Sequence, residues 1–189
     1  LITLIHYKKE TIMNKLHSVV VLAGFAALSS AWAAPFSQDA LPAAVQVPAG
    51  NKVAMETVGA GTITYECKVK KDTMDQHEWV FVGPDAVLSD RSGKAVGKYF
   101  GPPATWESND GSKITATQLA VSPGGTGNIP LQLVKANPAM GNGAMSGVTF
   151  IQRVATKGGV APASTCAAAN LGAKEIVKYQ ADYIFWKAM

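Results

Sequence analysis

Beyond residue 48, apolar and β-branched residues come in short runs separated by Gly, Pro, Asn and Asp, and helical periodicity is nearly absent. Residues 62–69 alternate polar and apolar, as a strand with one buried face does. Residues 179–185 alternate in the same way, which puts Tyr179, Ala181, Tyr183 and Phe185 on one face. The pattern predicts strands over 52–58, 62–69, 78–82, 94–100, 113–121, 131–136, 148–155 and 176–185, with shorter pieces at 86–88 and 105–107.

Turn chemistry sits between these runs. The stretches 90–94 and 109–112 carry Asp-Arg-Ser-Gly and Asn-Asp-Gly-Ser, whose residues tolerate positive φ, so each is predicted to close a hairpin. Gly59-Ala60-Gly61 is read as a third hairpin turn. Residues 122–128 and 138–147 are longer loops rich in Gly and Asn. Helices are expected only as short pieces, at 164–169 and as a turn near 84–87. Strands at this spacing define an all-β, single-domain antiparallel β-sandwich or barrel of about eight to ten strands.

The N-terminal region reads differently. Met13 starts a secretory signal peptide over 13–33: Lys15 supplies the positive charge, 16–28 is mostly apolar, and Ala31-Trp32-Ala33 is a small-x-small cleavage site. The apolar run is too short to span a bilayer, which takes about 20 residues, so no stable membrane span is expected after cleavage. Residues 1–12 precede the first methionine and read as an upstream segment outside the fold. Residues 34–48, with three prolines, form an extended N-terminal arm, and 49–189 form the single β-domain. The expected compartment is periplasmic or extracellular.

That compartment gives the cysteines their meaning. Cys67 and Cys166 are the only two, and in an exported chain they make one disulfide. There is no Cys-x-x-Cys and no flanking histidine, so a redox or metal pair is not favoured. The formal charge of +4 falls to about +2 once Lys8, Lys9, Lys15 and Glu10 are set aside. No basic run with interleaved aromatics is present, and no nucleic-acid partner is expected.

Candidate chemistry is sparse. His77 is the only histidine after residue 33 and lies in a polar loop, where it reads as a surface residue. A multi-histidine metal site is excluded, and no metal ligands are assigned. Gly59-Ala60-Gly61 and Gly124-Gly125-Thr126-Gly127 lack the elements of a dinucleotide or phosphate loop, so no cofactor is implied. The most distinctive block, 101–112, places Trp106 beside Glu107 and Asp110. A tryptophan platform beside paired carboxylates suits a saccharide hydrolase or lyase, with Glu107 and Asp110 as the catalytic candidates. Core packing and turn formation account for the same residues. Arg153, on an otherwise apolar strand, is a candidate to pair with Glu107 or Asp110, as an internal salt bridge or as part of a polar pocket; Trp106 and Arg153 are the candidate binding residues.

Pro48-Ala49-Gly50, Tyr65-Glu66-Cys67, the blocks 79–88, 101–112 and 151–162, Cys166 and 179–185 resemble, in order and spacing, an uncharacterised family of secreted bacterial and fungal proteins, a domain of unknown function. The resemblance implies secretion and one compact domain but no activity. Some fungal relatives carry a dehydrogenase label, which nothing in these residues supports. Lys98-Tyr99-Phe100 departs from the family, whose members usually show a histidine there. The leading expectation is a non-enzymatic module at the cell envelope that binds a small molecule, a saccharide or an envelope protein. The alternatives are the saccharide-active enzyme and a self-assembling extracellular protein whose arm adds a strand to a neighbour.

Overall fold

The alternation in 62–69 and 179–185 materialises as two neighbouring strands of one sheet. The computed structural model describes residues 36–189; the upstream segment, the signal peptide and its cleavage site lie outside the described residues. Eight strands follow one another: β1 (Asn51–Val69), β2 (His77–Ser89), β3 (Ala95–Phe100), β4 (Thr105–Ser108), β5 (Lys113–Ser122), β6 (Leu131–Ala136), β7 (Val148–Gly158) and β8 (Lys174–Ala188). Each pairs antiparallel with the next, and β8 returns to pair with β1 from Asn51↔Ala188 to Glu66↔Lys174, which closes the sheet into a barrel. Closure leaves no sheet edge.

Three local expectations are corrected. Gly59-Ala60-Gly61 is not a turn; it lies in the middle of β1, paired with Val87 and Ala86 on one side and with Ala181 and Tyr179 on the other. Glycine is required there for close approach. A Cβ on Gly61 would lie 2.1 Å from the Asp85 carbonyl oxygen, and one on Gly59 would lie 2.5 Å from the Tyr183 ring. Residues 84–87 are likewise part of β2 rather than a turn, with Pro84 opposite Ile63. The stretch 164–169 is not a helix; a single 3₁₀ turn forms at Ala168–Asn170. The hairpin turns at 90–94 and 109–112 form as predicted, with Gly93 N–H donating to Asp90 O and Gly111 N–H to Ser108 O.

An up-and-down barrel places alternate connections at the same end. The β2–β3, β4–β5 and β6–β7 turns share one end with the start of β1 and the end of β8; this end is called the floor. The β1–β2, β3–β4, β5–β6 and β7–β8 connections ring the other end, the mouth. Inward positions fill the interior with Ile63, Leu88, Trp106, Ile114, Ile151 and Phe185, all almost wholly buried. An eight-stranded barrel is just wide enough for its own side chains or for one small ligand. At the floor the β6–β7 loop inserts Met145, 1% exposed, as a plug.

Residues 36–48 run across the outside of the barrel rather than away from it. Val45 and Val47 bury against Leu133, Val154, Ile184 and Trp186, and Phe36 meets the Trp186 ring edge-on at 6.3 Å. The amide of Gln152, fully buried, is satisfied throughout: it donates to the Val45 carbonyl and to Gln38 Oε1, and accepts from the Trp186 indole N–H at 2.8 Å. A buried amide left unpaired would cost about 1–3 kcal/mol, so the arm's backbone and the outer face of β7 and β8 depend on each other.

The disulfide forms as expected. Cys67, fully buried, joins Cys166 with 5.4 Å between Cα atoms and a sequence separation of 99. It fastens the β7–β8 connection to the end of β1 at the mouth. The Trp79 indole N–H, donating to the Ser164 carbonyl at 2.8 Å, holds the same connection to β2.

Candidate functional site

In a strand, adjacent side chains point to opposite faces. Trp106 and Glu107 are adjacent in β4, so they do not share a site. Trp106 points inward and is 2% exposed. It stacks on its cross-strand partner Tyr99 (centroids 4.7 Å apart, planes at 24°) and meets Tyr183 edge-on at 5.8 Å. Offset aromatic pairs of this kind add about 0.5–1.5 kcal/mol beyond the area they bury.

Glu107 points outward, into a shallow depression of about 280 Å3 that also includes Lys98, Ser108 and Asn109. Its carboxylate lies 3.1 Å from the Lys113 ammonium and 3.5 Å from that of Lys98. The Lys113 hydrogen bond, reinforced by the charges of both lysines, holds the carboxyl below the usual glutamate range. A general acid needs the opposite shift.

Asp110 is a turn residue. Its Oδ1 accepts from the Ser112 N–H and hydroxyl, and Oδ2 accepts from the Ala144 N–H at 2.7 Å. Ser112 Oγ in turn accepts from the Met145 N–H. The carboxylate thus links the β4–β5 turn to the loop that carries the Met145 plug. The Ser112 hydroxyl and then the backbone N–H of Ala144 lower its pKa to about 2. Because this folded-state pKa lies below the unfolded value of about 3.9, the contribution is complete above the unfolded value and is lost as pH falls through about 2. Asp110→Asn should therefore lower the urea midpoint at pH 7, and the gap from wild type should narrow steadily below about pH 4. A gap independent of pH would show that the carboxylate charge does not hold the plug.

Arg153 does not pair with Glu107 or Asp110. It projects from β7 into the barrel, on the same face as Ile151, between Gln132 of β6 and Tyr183 of β8. Its Nε and one terminal nitrogen donate to the Pro130 carbonyl at 3.1 and 3.0 Å, which fixes the guanidinium at the mouth. No carboxylate lies within 4.0 Å of it among the described residues. Its charge reaches the inward tyrosines, opposing the rise that burial imposes on the hydroxyls of Tyr65, Tyr99, Tyr179 and Tyr183. Burial prevails at all four, so the tyrosines are neutral at ordinary pH. Tyr179 and Tyr183 hydrogen-bond each other at 3.2 Å, and Tyr65 donates to the Gly159 carbonyl.

Trp106 and Arg153, singled out separately from the sequence, line one cavity of about 230 Å3 at the mouth. Tyr99, Phe81, Gln118 and Gln132 share its wall. The two glutamines bond each other through Gln132 Nε2 and Gln118 Oε1. Phe81, 52% exposed, packs edge-on against Tyr65 and leaves an aromatic rim open to solvent. The indole N–H of Trp106 is sealed from solvent and has no hydrogen-bond partner among the described residues. The glutamines, Tyr99 and Phe81 were not singled out in sequence. A legible signal existed for the glutamines: each occupies the inward parity of its strand, two residues from an apolar position (Ala116-x-Gln118, Gln132-x-Val134). His77 opens β2 opposite Val69, in the β1–β2 hairpin beyond the barrel. No cluster of His, Cys, Asp and Glu able to hold a metal exists among the described residues.

Fold and site together define an antiparallel eight-stranded barrel, plugged at one end, with an aromatic cavity bearing a single arginine at the other. The chain belongs to the family described as "Protein of unknown function (DUF3455)", whose model matches residues 48–187. No curated protein and no solved structure gives a significant match.

Proposed function

We propose that this protein is an exported, non-enzymatic binding module of the cell envelope, periplasmic or extracellular, which holds a small molecule in the mouth of its barrel. The observation that carries this reading is the cavity in which the aromatic side chains of Trp106, Tyr99 and Phe81 share a wall with the guanidinium of Arg153, which has no carboxylate partner among the described residues. A concave, mostly apolar site with a few convergent polar groups is the usual form of a ligand pocket. The disulfide fits export to an oxidising compartment. The saccharide-enzyme reading has less support: Glu107 lies on the outer face, Asp110 lies in a turn, and both carboxyls are shifted toward the ionised form.

The test is a thermal-shift screen of the protein lacking residues 1–33 against saccharides, aromatic acids and divalent metals. A reproducible rise in Tm with one ligand class is expected. A flat response from a folded sample would overturn the binding reading in favour of a structural or protein-partner role.

A further inference from the structure

We infer that the mouth cavity is a site for a small aromatic monocarboxylate, with the acid group on Arg153 and the ring among Trp106, Tyr99 and Phe81. This deepens the binding reading above and rests on it.

The charge argument comes first. Among the described residues, Arg153 is the only permanently charged group in the cavity wall; the remaining lining residues are aromatic, aliphatic or amide. A guanidinium that has no carboxylate partner among the described residues, set in a wall of low polarity, favours an anion strongly. One arginine matches one negative charge. The backbone carbonyl of Pro130 occupies Nε and one terminal nitrogen, so the guanidinium is held rigid while its other terminal nitrogen makes no hydrogen bond among the described residues. That nitrogen can donate to a carboxylate without any rearrangement.

Shape and polarity give the rest. Three aromatic side chains, Trp106, Tyr99 and Phe81, line the wall, and the stacked Tyr99–Trp106 pair is held fixed by its packing. Such surfaces favour planar, aromatic groups over saturated ones of the same size. A saccharide needs many hydrogen-bonding groups around its ring, and beside Arg153 this wall offers chiefly the Gln118–Gln132 pair. Those groups suit a single further acceptor on the ligand, such as a ring hydroxyl or ether. At about 230 Å3, the cavity is smaller than the pockets of about 300–1,000 Å3 that take drug-sized molecules. It admits an acid of one ring.

Isothermal titration calorimetry of the protein lacking residues 1–33 tests this with benzoate, its neutral counterpart benzyl alcohol, and the saturated acid cyclohexanecarboxylate. Benzoate should bind saturably, and each of the other two roughly tenfold or more weakly, the scale of losing one charge-assisted hydrogen bond or one set of ring contacts. Arg153→Gln should abolish the preference for the acid over the alcohol. This substitution also removes the bonds to Pro130, so circular dichroism accompanies it; if it unfolds the protein, Arg153→Lys takes its place and should weaken benzoate while keeping the acid preferred. Equal binding of benzyl alcohol or of cyclohexanecarboxylate overturns the aromatic-acid inference but leaves the small-molecule cavity standing. No heat with any of the three, together with a flat thermal-shift screen, overturns the binding reading itself.

Discussion

Trp106→Ala is expected to lower stability by about 3–5 kcal/mol, the range for truncating a large buried aromatic. The indole is 2% exposed and touches both Tyr99 on the neighbouring strand β3 and Tyr183 on β8 across the barrel. Its removal leaves a void that closed strands cannot collapse to fill, because each is hydrogen-bonded on both sides. Urea unfolding followed by circular dichroism reads the change. Trp106→Phe keeps one aromatic ring at this position while removing the indole N–H and the second ring, so its loss should be smaller than that of the alanine variant. A loss below about 1 kcal/mol in the alanine variant, the ordinary effect of a substitution, would mean that the indole does not hold the barrel interior together.

Removing the disulfide is the second large perturbation. The double variant Cys67→Ser, Cys166→Ser should lose about 2–5 kcal/mol. The bond spans 99 residues of sequence, so the unfolded chain gains much freedom when it is cut; chain-entropy reasoning puts the ceiling near 4.7 kcal/mol. The effect should be concentrated at the mouth. There the β7–β8 connection would be held by hydrogen bonds alone, among them Trp79–Ser164, Ser164–Glu175, Tyr65–Gly159 and the short ladder between Cys67 and residues 172–173. Hydrogen exchange should rise first in 159–173. Unchanged urea midpoints would show that the native contacts alone constrain this connection. Intact mass of the wild-type protein recovered from outside the cytoplasm should show a start at Ala34 and the loss of two hydrogens.

Most strands are visible in the sequence because alternation is local: Thr62–Val69 and Tyr179–Phe185 each announce their buried face without reference to the other. The choice between sandwich and barrel is not visible, since it depends on β8 finding β1 more than 100 residues away. Glycine misled where its role was long-range. Gly59 and Gly61 look like a turn in isolation, yet they are glycine because the Tyr183 ring and the Asp85 carbonyl press against the strand from elsewhere.

The site was half legible for the same reason. Trp106, Glu107 and Asp110 are neighbours in sequence, and proximity suggested one site; the two-residue period of β4 sends Trp106 and Glu107 to opposite faces, and the turn takes Asp110 away. Arg153 was conspicuous as a charge on an apolar strand, but its surroundings are set by β6 and β8 through the register of three strands.

Closure between β1 and β8 also fixes the polarity of attachment. The last residue, Met189, donates its N–H to the Gly50 carbonyl, and the Phe36 N–H reaches Glu56, whose carboxylate is held by Arg91 from the β2–β3 turn. Phe36 and Met189, the first and last described residues, therefore both lie at the floor. A surface or a fused partner held at Met189 lies on the floor side, and such immobilisation leaves the aromatic cavity at the mouth in free solution.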